Sequence, residues 1–349
     1  MILRFCLRLL PGAAVLAFSS VLFAAEINSE AMRRARAAAD KKDFPAAIKI
    51  LKEEAAKGSP EAANALGELH VAGMGMKASP SEAARWFQQA VDASYPPAML
   101  NLGKLLLKGA EGLPADADKG QFLIRTAAEE GFAPAQVVLG RAVEAEPEKT
   151  RDLAEARSWY EKAAAQEDPD GLLALAHFFD QGIAGARDPV QAFDAFRRAA
   201  RAGSAFAMNE VGVRYQKGLG VTADATAAIG WFTLATQHGL PAAFTNLGNC
   251  YEMANGVLQD FDKAGTYYAA AAKKRFGPAQ FLLAQLFEQG KGTKPNLVYA
   301  YVNYCLAAAN GVEAAAKKRD ELKAKLTPEQ LQEATRLLAS GGTEPSAEK

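Results

Sequence analysis

The chain has 349 residues, of which 50% are hydrophobic and 23% charged, and its 40 basic residues balance 40 acidic ones. That much apolar surface excludes a largely disordered chain, and a formal net charge of zero argues against nucleic acid or an anionic membrane surface as partner of the whole molecule. Length alone suggests about two globular domains, an expectation that internal periodicity replaces with one continuous array.

The first 25 residues carry positive charge at Arg4 and Arg8, an apolar stretch from Leu9 to Phe23, and Ala24 and Ala25 before Glu26. This is the layout of a secretory signal peptide. Its removal costs only Arg4 and Arg8 among the charges, leaving 38 basic residues against 40 acidic ones. The cleavage site is imperfect, because a cut after Ala25 puts Phe23, and a cut after Ala24 puts Leu22, where a small residue is preferred. An inner-membrane anchor formed by residues 1–25 is the alternative, since the apolar stretch nears the lower limit for spanning a bilayer. The expected location is exported, periplasmic or secreted, with a membrane contact only if this segment stays uncleaved.

Residues 26–58 are expected to form an N-terminal capping helical unit in which Asp43-Phe44-Pro45 opens a helix and Leu51 points inward. Residues 59–311 then hold seven copies of one module. Runs resembling A-x-x-x-L-G place Gly67, Gly103, Gly140, Ala176, Gly212, Gly248 and Ala284 at steps of 36 or 37 residues. A second ladder keeps the same step through Phe87, Leu123, Tyr160, Phe196, Phe232, Tyr268 and Tyr304. Self-similarity at this period marks a repeat array whose units pack on their neighbours.

Within Ser204 to Gly239, Ala207, Val211 and Tyr215 share one helical face, Gly218-Leu219-Gly220 ends that helix, and Asp224 caps the next. The second helix is expected to turn Ala228, Trp231, Phe232 and Ala235 toward the core. One repeat is irregular, with Glu146 to Arg151 in place of the Gly loop. Residues 312–339 are expected to be C-terminal capping helices, with Thr327, Pro328 and Gln330 starting the last one. Residues 340–349 read as a disordered polar tail. The predicted fold class is all-α: a right-handed α/α superhelical solenoid of about seven full helix-loop-helix repeats with N- and C-terminal capping units.

The pattern A-x-x-x-L-G-x-x-Y, a G-x-G-V type loop, A-x-x-W-[FY]-x-x-A and a closing Gly resembles the Sel-one-like repeat family, relatives of the tetratricopeptide repeats. Gly212, Tyr215, Gly218, Gly220, Val221, Trp231, Phe232, Ala235 and Gly239 carry the resemblance in one copy, and Gly248, Tyr251, Gly256, Val257, Ala264, Tyr267 and Tyr268 in the next. It extends over roughly residues 43–340. The resemblance implies an adaptor scaffold, in many cases exported by bacteria and in some involved in envelope regulation or host interaction. Some cysteine-rich exported relatives are associated with β-lactam-like ligands. A cell-wall or β-lactam-active enzyme is therefore one alternative, and a self-associating structural scaffold another.

A search for chemistry finds little. His70, His177 and His238 lie in different repeats without metal-ligand spacing, and His70 stands in the column of Tyr215 and Tyr251, where a core role is expected. The only S-x-x-K runs from Ser346 to Lys349, in the tail. Gly73-Met74-Gly75, Gly218-Leu219-Gly220 and Gly290-Lys291-Gly292 each follow a helix rather than a strand, so they read as structural loops and not phosphate cradles. Cys250 and Cys305 could pair in an oxidising compartment, though both stand where small apolar residues belong. No catalytic residue, cofactor or metal is expected.

In a helical-hairpin solenoid the first helices line the concave face. Positions three before, one after and four after the reference Gly are expected to project from it together. In the middle of the array this predicts a partner-binding groove of Leu100, Lys104, Leu107, Val137, Arg141, Leu173 and His177. Basic anchors among apolar residues suit an extended peptide or a chain carboxylate, so a protein or extended peptide is the expected partner. The competing reading is that Lys104 and Arg141 keep a helix face soluble by pairing with Glu144 and Asp180.

Overall fold

The computed structural model describes residues 29–292 and 294–340. The expected signal or anchor segment, residues 341–349 of the expected tail and the Ser346 to Lys349 pair lie outside them. The described residues contain eighteen α-helices and no strand. Helices α1 (Glu30–Asp40) and α2 (Phe44–Ala56) come first. The repeats follow as α3 (Pro60–Ala72) and α4 (Pro80–Asp92), α5 (Pro96–Lys108) and α6 (Ala117–Glu129), α7 (Ala133–Glu144) and α8 (Leu153–Ala165), and α9 (Pro169–Gln181) and α10 (Pro189–Arg201). They continue as α11 (Ala205–Lys217) and α12 (Ala225–Gln237), α13 (Pro241–Glu252) and α14 (Phe261–Ala272), and α15 (Gly277–Gln289) and α16 (Leu297–Ala309). Helices α17 (Glu313–Lys323) and α18 (Pro328–Ala339) end the array. Internal contacts divide the chain into two units, one running to Phe178 with Gly182–Ala186, the other comprising Phe179–Gln181 and Arg187 onward.

Each second helix starts at a side-chain cap. Ser79, Asp116, Asp152, Asp188, Asp224, Asp260 and Asn296 accept hydrogen bonds from backbone N–H groups in the first turns of α4, α6, α8, α10, α12, α14 and α16. Each such cap is typically worth about 1 kcal/mol, and the column fixes where every second helix begins. The last helix carries the expected capping box, in which Thr327 accepts from the Gln330 N–H and the Gln330 side chain accepts from the Thr327 N–H.

The two sequence ladders are in phase because they touch. A Cβ added at Gly67 would lie 2.5 Å from the Phe87 ring, one at Gly140 2.7 Å from Tyr160, one at Gly212 2.6 Å from Phe232 and one at Gly248 2.6 Å from Tyr268. In these copies the aromatic of the second helix rests directly on the glycine of the first, where a side chain would have no room. Phe232, Tyr268 and Tyr304 have no exposed surface, and Phe87 keeps 2%. Leu51 takes the ladder's place in α2 and is likewise buried. Trp231, expected inward beside Phe232, is only half-buried, because it sits one residue, about 100° of helix, away from the ladder position. Cys250 and Cys305 are free thiols, Cys250 buried and Cys305 half-buried. Among the described residues no helix is long and apolar enough to cross a membrane.

Candidate functional site

The first helices present their surfaces differently from the expectation. Leu100 and Val137, predicted to line the groove, are 4% and 2% exposed. Leu100 belongs to a core cluster with Met99, Leu102, Ile124 and Leu139. The same register, three residues before the reference Gly, is buried at Asn64, Asn209 and Thr245. It faces the neighbouring repeat, as Asn64 shows by bonding to Asn101 of the next first helix. The position one after the Gly is the open one: Lys104 is half-buried, and Arg141 and His177 are exposed. Leu107 and Leu173 are half-buried, so five of the seven predicted residues keep accessible surface.

A contiguous polar track crosses α3, α5, α7 and α9 of the first unit. Glu68 Oε1 accepts from Asn64 Nδ2 at 3.0 Å and from Asn101 Nδ2 at 3.0 Å, and Asn101 Nδ2 also donates to Asn64 Oδ1 at 3.0 Å. Burial raises the Glu68 carboxyl to about 7, against the pull of the two amide hydrogen bonds. The Tyr95 phenol is likewise pushed up to about 12, by burial first and then by the charges of Glu61 and Glu68. One turn beyond Asn101 stands Lys104, whose ammonium is lowered by burial and by the Arg141 charge, with Asp170 acting in the opposite sense. Arg141 Nη2 lies 4.0 Å from Asp170 Oδ2, in a pair that is more than half exposed on both sides.

The acids expected to neutralise Lys104 and Arg141 are engaged elsewhere. Glu144 accepts a hydrogen bond from the Tyr160 hydroxyl, and Asp180 is bonded by Arg214. The Tyr–Glu contact recurs in the second unit, where the Tyr268 hydroxyl lies 2.9 Å from a Glu252 carboxylate oxygen and 2.6 Å from the Asn249 side-chain oxygen, and Tyr304 donates to Glu288 at 2.6 Å. Where the ladder residue is Phe196, Arg214 covers it instead, with the guanidinium carbon 3.9 Å from the ring centroid. Arg214 is 3% exposed and is bonded to Asp180 and, at 3.1 Å, to Glu210, while its Nε has no partner among the described residues.

Asn101, Asp170 and Arg214 carry no mark in the sequence, whereas Glu68 follows Gly67 in the same register as Lys104 and Arg141, at the edge of the predicted groove. A signal was present for some of this. Glu144/Tyr160, Glu252/Tyr268 and Glu288/Tyr304 are each 16 residues apart, and Asn64/Asn101 and Asn209/Asn246 each 37. The second asparagine pair bonds at 2.8 Å, as the first does at 3.0 Å. His70 is half-buried, with its Nδ1 enclosed and unpaired among the described residues, and burial lowers its imidazole. No group of His, Cys, Asp and Glu among the described residues could hold a metal ion.

Capped helix pairs with a glycine-on-aromatic contact at a fixed step define an all-α helical-repeat solenoid protein. The family model for the Sel1 repeat matches residues 60–95, 96–132, 133–168, 169–204, 205–240, 241–275 and 277–312, and the chain belongs to that family. Among curated proteins it is 32% identical over 124 residues to chitin synthase regulatory factor 3 of Schizosaccharomyces pombe, a match to 35% of this chain and 13% of that protein. It is 29% identical over 169 residues to an uncharacterized protein, NMB1327, of Neisseria meningitidis, a match to 48% of this chain and 35% of that one. The chain thus spans about an eighth and about a third of the curated relatives it matches. Among solved structures, a protective antigen of uropathogenic Escherichia coli with an SLR fold gives a TM-score of 0.70 at 24% identity, covering 94% of this chain and 75% of that one. A Sel1 repeat protein from Oxalobacter formigenes gives 0.63 at 27% identity, covering 89% and 92%.

Proposed function

We propose that this chain is a non-enzymatic adaptor that binds an extended segment of a protein partner along the first-helix face of its first unit. The observation that carries this reading is the track from Glu68 through Asn101 and Lys104 to Arg141 and Asp170. It combines the Asn101 amide, Lys104 without an ion-pair partner among the described residues, Arg141 in only an exposed 4.0 Å pair with Asp170, and half-buried Leu107 and Leu173. A partner chain laid across successive first helices meets charge-directed anchors beside apolar surface, the combination that concentrates binding energy. The match to a protein named as a chitin synthase regulatory factor supports a regulatory role toward another protein. We place that role outside the cytoplasm, in envelope regulation or host interaction, on the strength of the charged and apolar pattern of residues 1–25.

The test is affinity capture from an envelope extract with the wild type and with Arg141→Glu, read by mass spectrometry. A partner retained by the wild type and lost at least about thirtyfold with the variant, roughly 2 kcal/mol, at unchanged helicity, is the expected result. Equal capture by both proteins overturns the assignment of this face. N-terminal sequencing of the exported form should find a start at Ala25 or Glu26, and an intact Met1 in the membrane fraction overturns the cleaved-signal reading.

A further inference from the structure

We infer that Lys104 and Arg141 together take the side-chain carboxylate of an Asp or Glu in the interior of an extended partner segment; this rests on the reading that the first-helix face of the first unit binds a partner chain. The two cations occupy the same register, one residue after Gly103 and Gly140, on the successive first helices α5 and α7. Each sets the other at a disadvantage, since like charges repel and Lys104 is already half withdrawn from water.

The protein's own acids do not resolve this. Glu68 is held by two asparagine amides, Glu144 by the Tyr160 hydroxyl, and Asp168 by its cap bond to the Gly171 N–H at 2.8 Å. Asp170 forms an ion pair with Arg141 alone, at 4.0 Å and exposed, a geometry of little energetic weight, and acts on Lys104 only through its charge at longer range. Among the described residues Lys104 has no ion-pair or hydrogen-bond partner of its own. A carboxylate with two oxygens and about four acceptor sites can satisfy an ammonium and a guanidinium together, and the partial desolvation of Lys104 makes that pairing stronger than on open surface.

The source of the carboxylate follows from what lies on either side. The track continues past the cations toward half-buried Asn101 and Glu68 in one direction and toward Leu173 and exposed His177 in the other. A segment can therefore run through with chain on both sides of the acid, which selects an interior side chain rather than a chain terminus.

The probe is a displayed library of peptides of about twelve residues, flanked at both ends by constant sequence so that no free terminus is offered. Extended, such peptides span about 40 Å, enough to cross four helices packed about 10 Å apart. Selection on the purified full chain should enrich Asp or Glu at one position. In an end-blocked synthetic binder, changing that acid to Asn or Gln should weaken binding at least about tenfold, the size of a charge-assisted hydrogen bond. Lys104→Gln, which keeps most of the stem, should lose about as much, and Asp170→Asn should bind more tightly, because a competing acid is removed. The pair of changes Lys104→Glu and Arg141→Glu should shift the selection to Lys and Arg. Circular dichroism confirms that each variant is folded.

Binders without an acid that are still lost with Arg141→Glu overturn the carboxylate assignment and leave the face standing. Acidic binders indifferent to Lys104→Gln, or weakened by Asp170→Asn, overturn it as well. The recovery of no end-blocked binder, or of binders unaffected by any change on α5, α7 or α9, overturns the proposed function itself.

Discussion

Replacing Glu68 by Gln tests how the first unit holds its polar track. Burial raises the carboxyl from its ordinary 4.5 to about 7, so folding favours the protonated form. A group whose folded pKa is raised contributes fully below the unfolded value and loses that contribution as pH rises through the folded one. The wild type is therefore expected to lose stability from this site between about pH 4.5 and pH 8. Linkage with these two values gives a cost of about 1 kcal/mol at pH 5 and about 3 kcal/mol at pH 8, a change of roughly 2 to 3 kcal/mol. The amide introduced by Glu68→Gln keeps an oxygen for both asparagine donors and carries no charge, so the stability of that variant should not follow this slope. Urea unfolding of both proteins from pH 5 to pH 8 should show the variant gaining on the wild type by about 2 to 3 kcal/mol across the range. The neighbouring Tyr95 phenol, held up to about 12, is silent in this window, and His70 on the same helix contributes equally to both proteins and cancels. Glu68→Ala, which strands two amide donors, should destabilise at every pH by about 1 to 3 kcal/mol. A difference between wild type and Glu68→Gln that does not change with pH would refute the reasoning, because it would mean that the carboxylate remains solvated.

Gly220→Ala should destabilise by about 2 kcal/mol or more, since its φ is +73° and a Cβ would collide with the Pro189 carbonyl oxygen; a melting curve matching wild type would show that the loop can move aside. Arg214→Ala should cost about 3 to 5 kcal/mol by leaving Asp180 and Glu210 without their buried partner and uncovering Phe196. Denaturant unfolding would contradict this if the loss stayed below about 1 kcal/mol. Tyr304→Phe should cost about 1.5 to 3 kcal/mol through loss of the 2.6 Å bond to Glu288, and Tyr304→Phe with Glu288→Gln should recover part of it, Phe232 with Gln216 being the native precedent. Failure of the double change to recover any stability would count against the pairing.

The sequence by itself determined the repeat, its step, the helix pairs and their caps, because those depend on residues close in the chain. A glycine twenty residues before an aromatic, or an aspartate before a helix, has the same meaning in every copy. It also placed Lys104, Arg141 and His177 on an open register, since residues one turn apart on a helix share a face. The tertiary structure decided which edge of that face stays open. Leu100 and Val137 are buried, in the register at which Asn64 bonds to Asn101 of the next first helix, and helical periodicity alone does not say where a neighbour stands. The same holds for the charges. Glu144 and Asp180 were available partners by sequence distance, yet Tyr160 and Arg214 reach them first in space. The raised carboxyl of Glu68 has no sequence signature at all, because desolvation depends on everything packed around a group and not on its place in the chain.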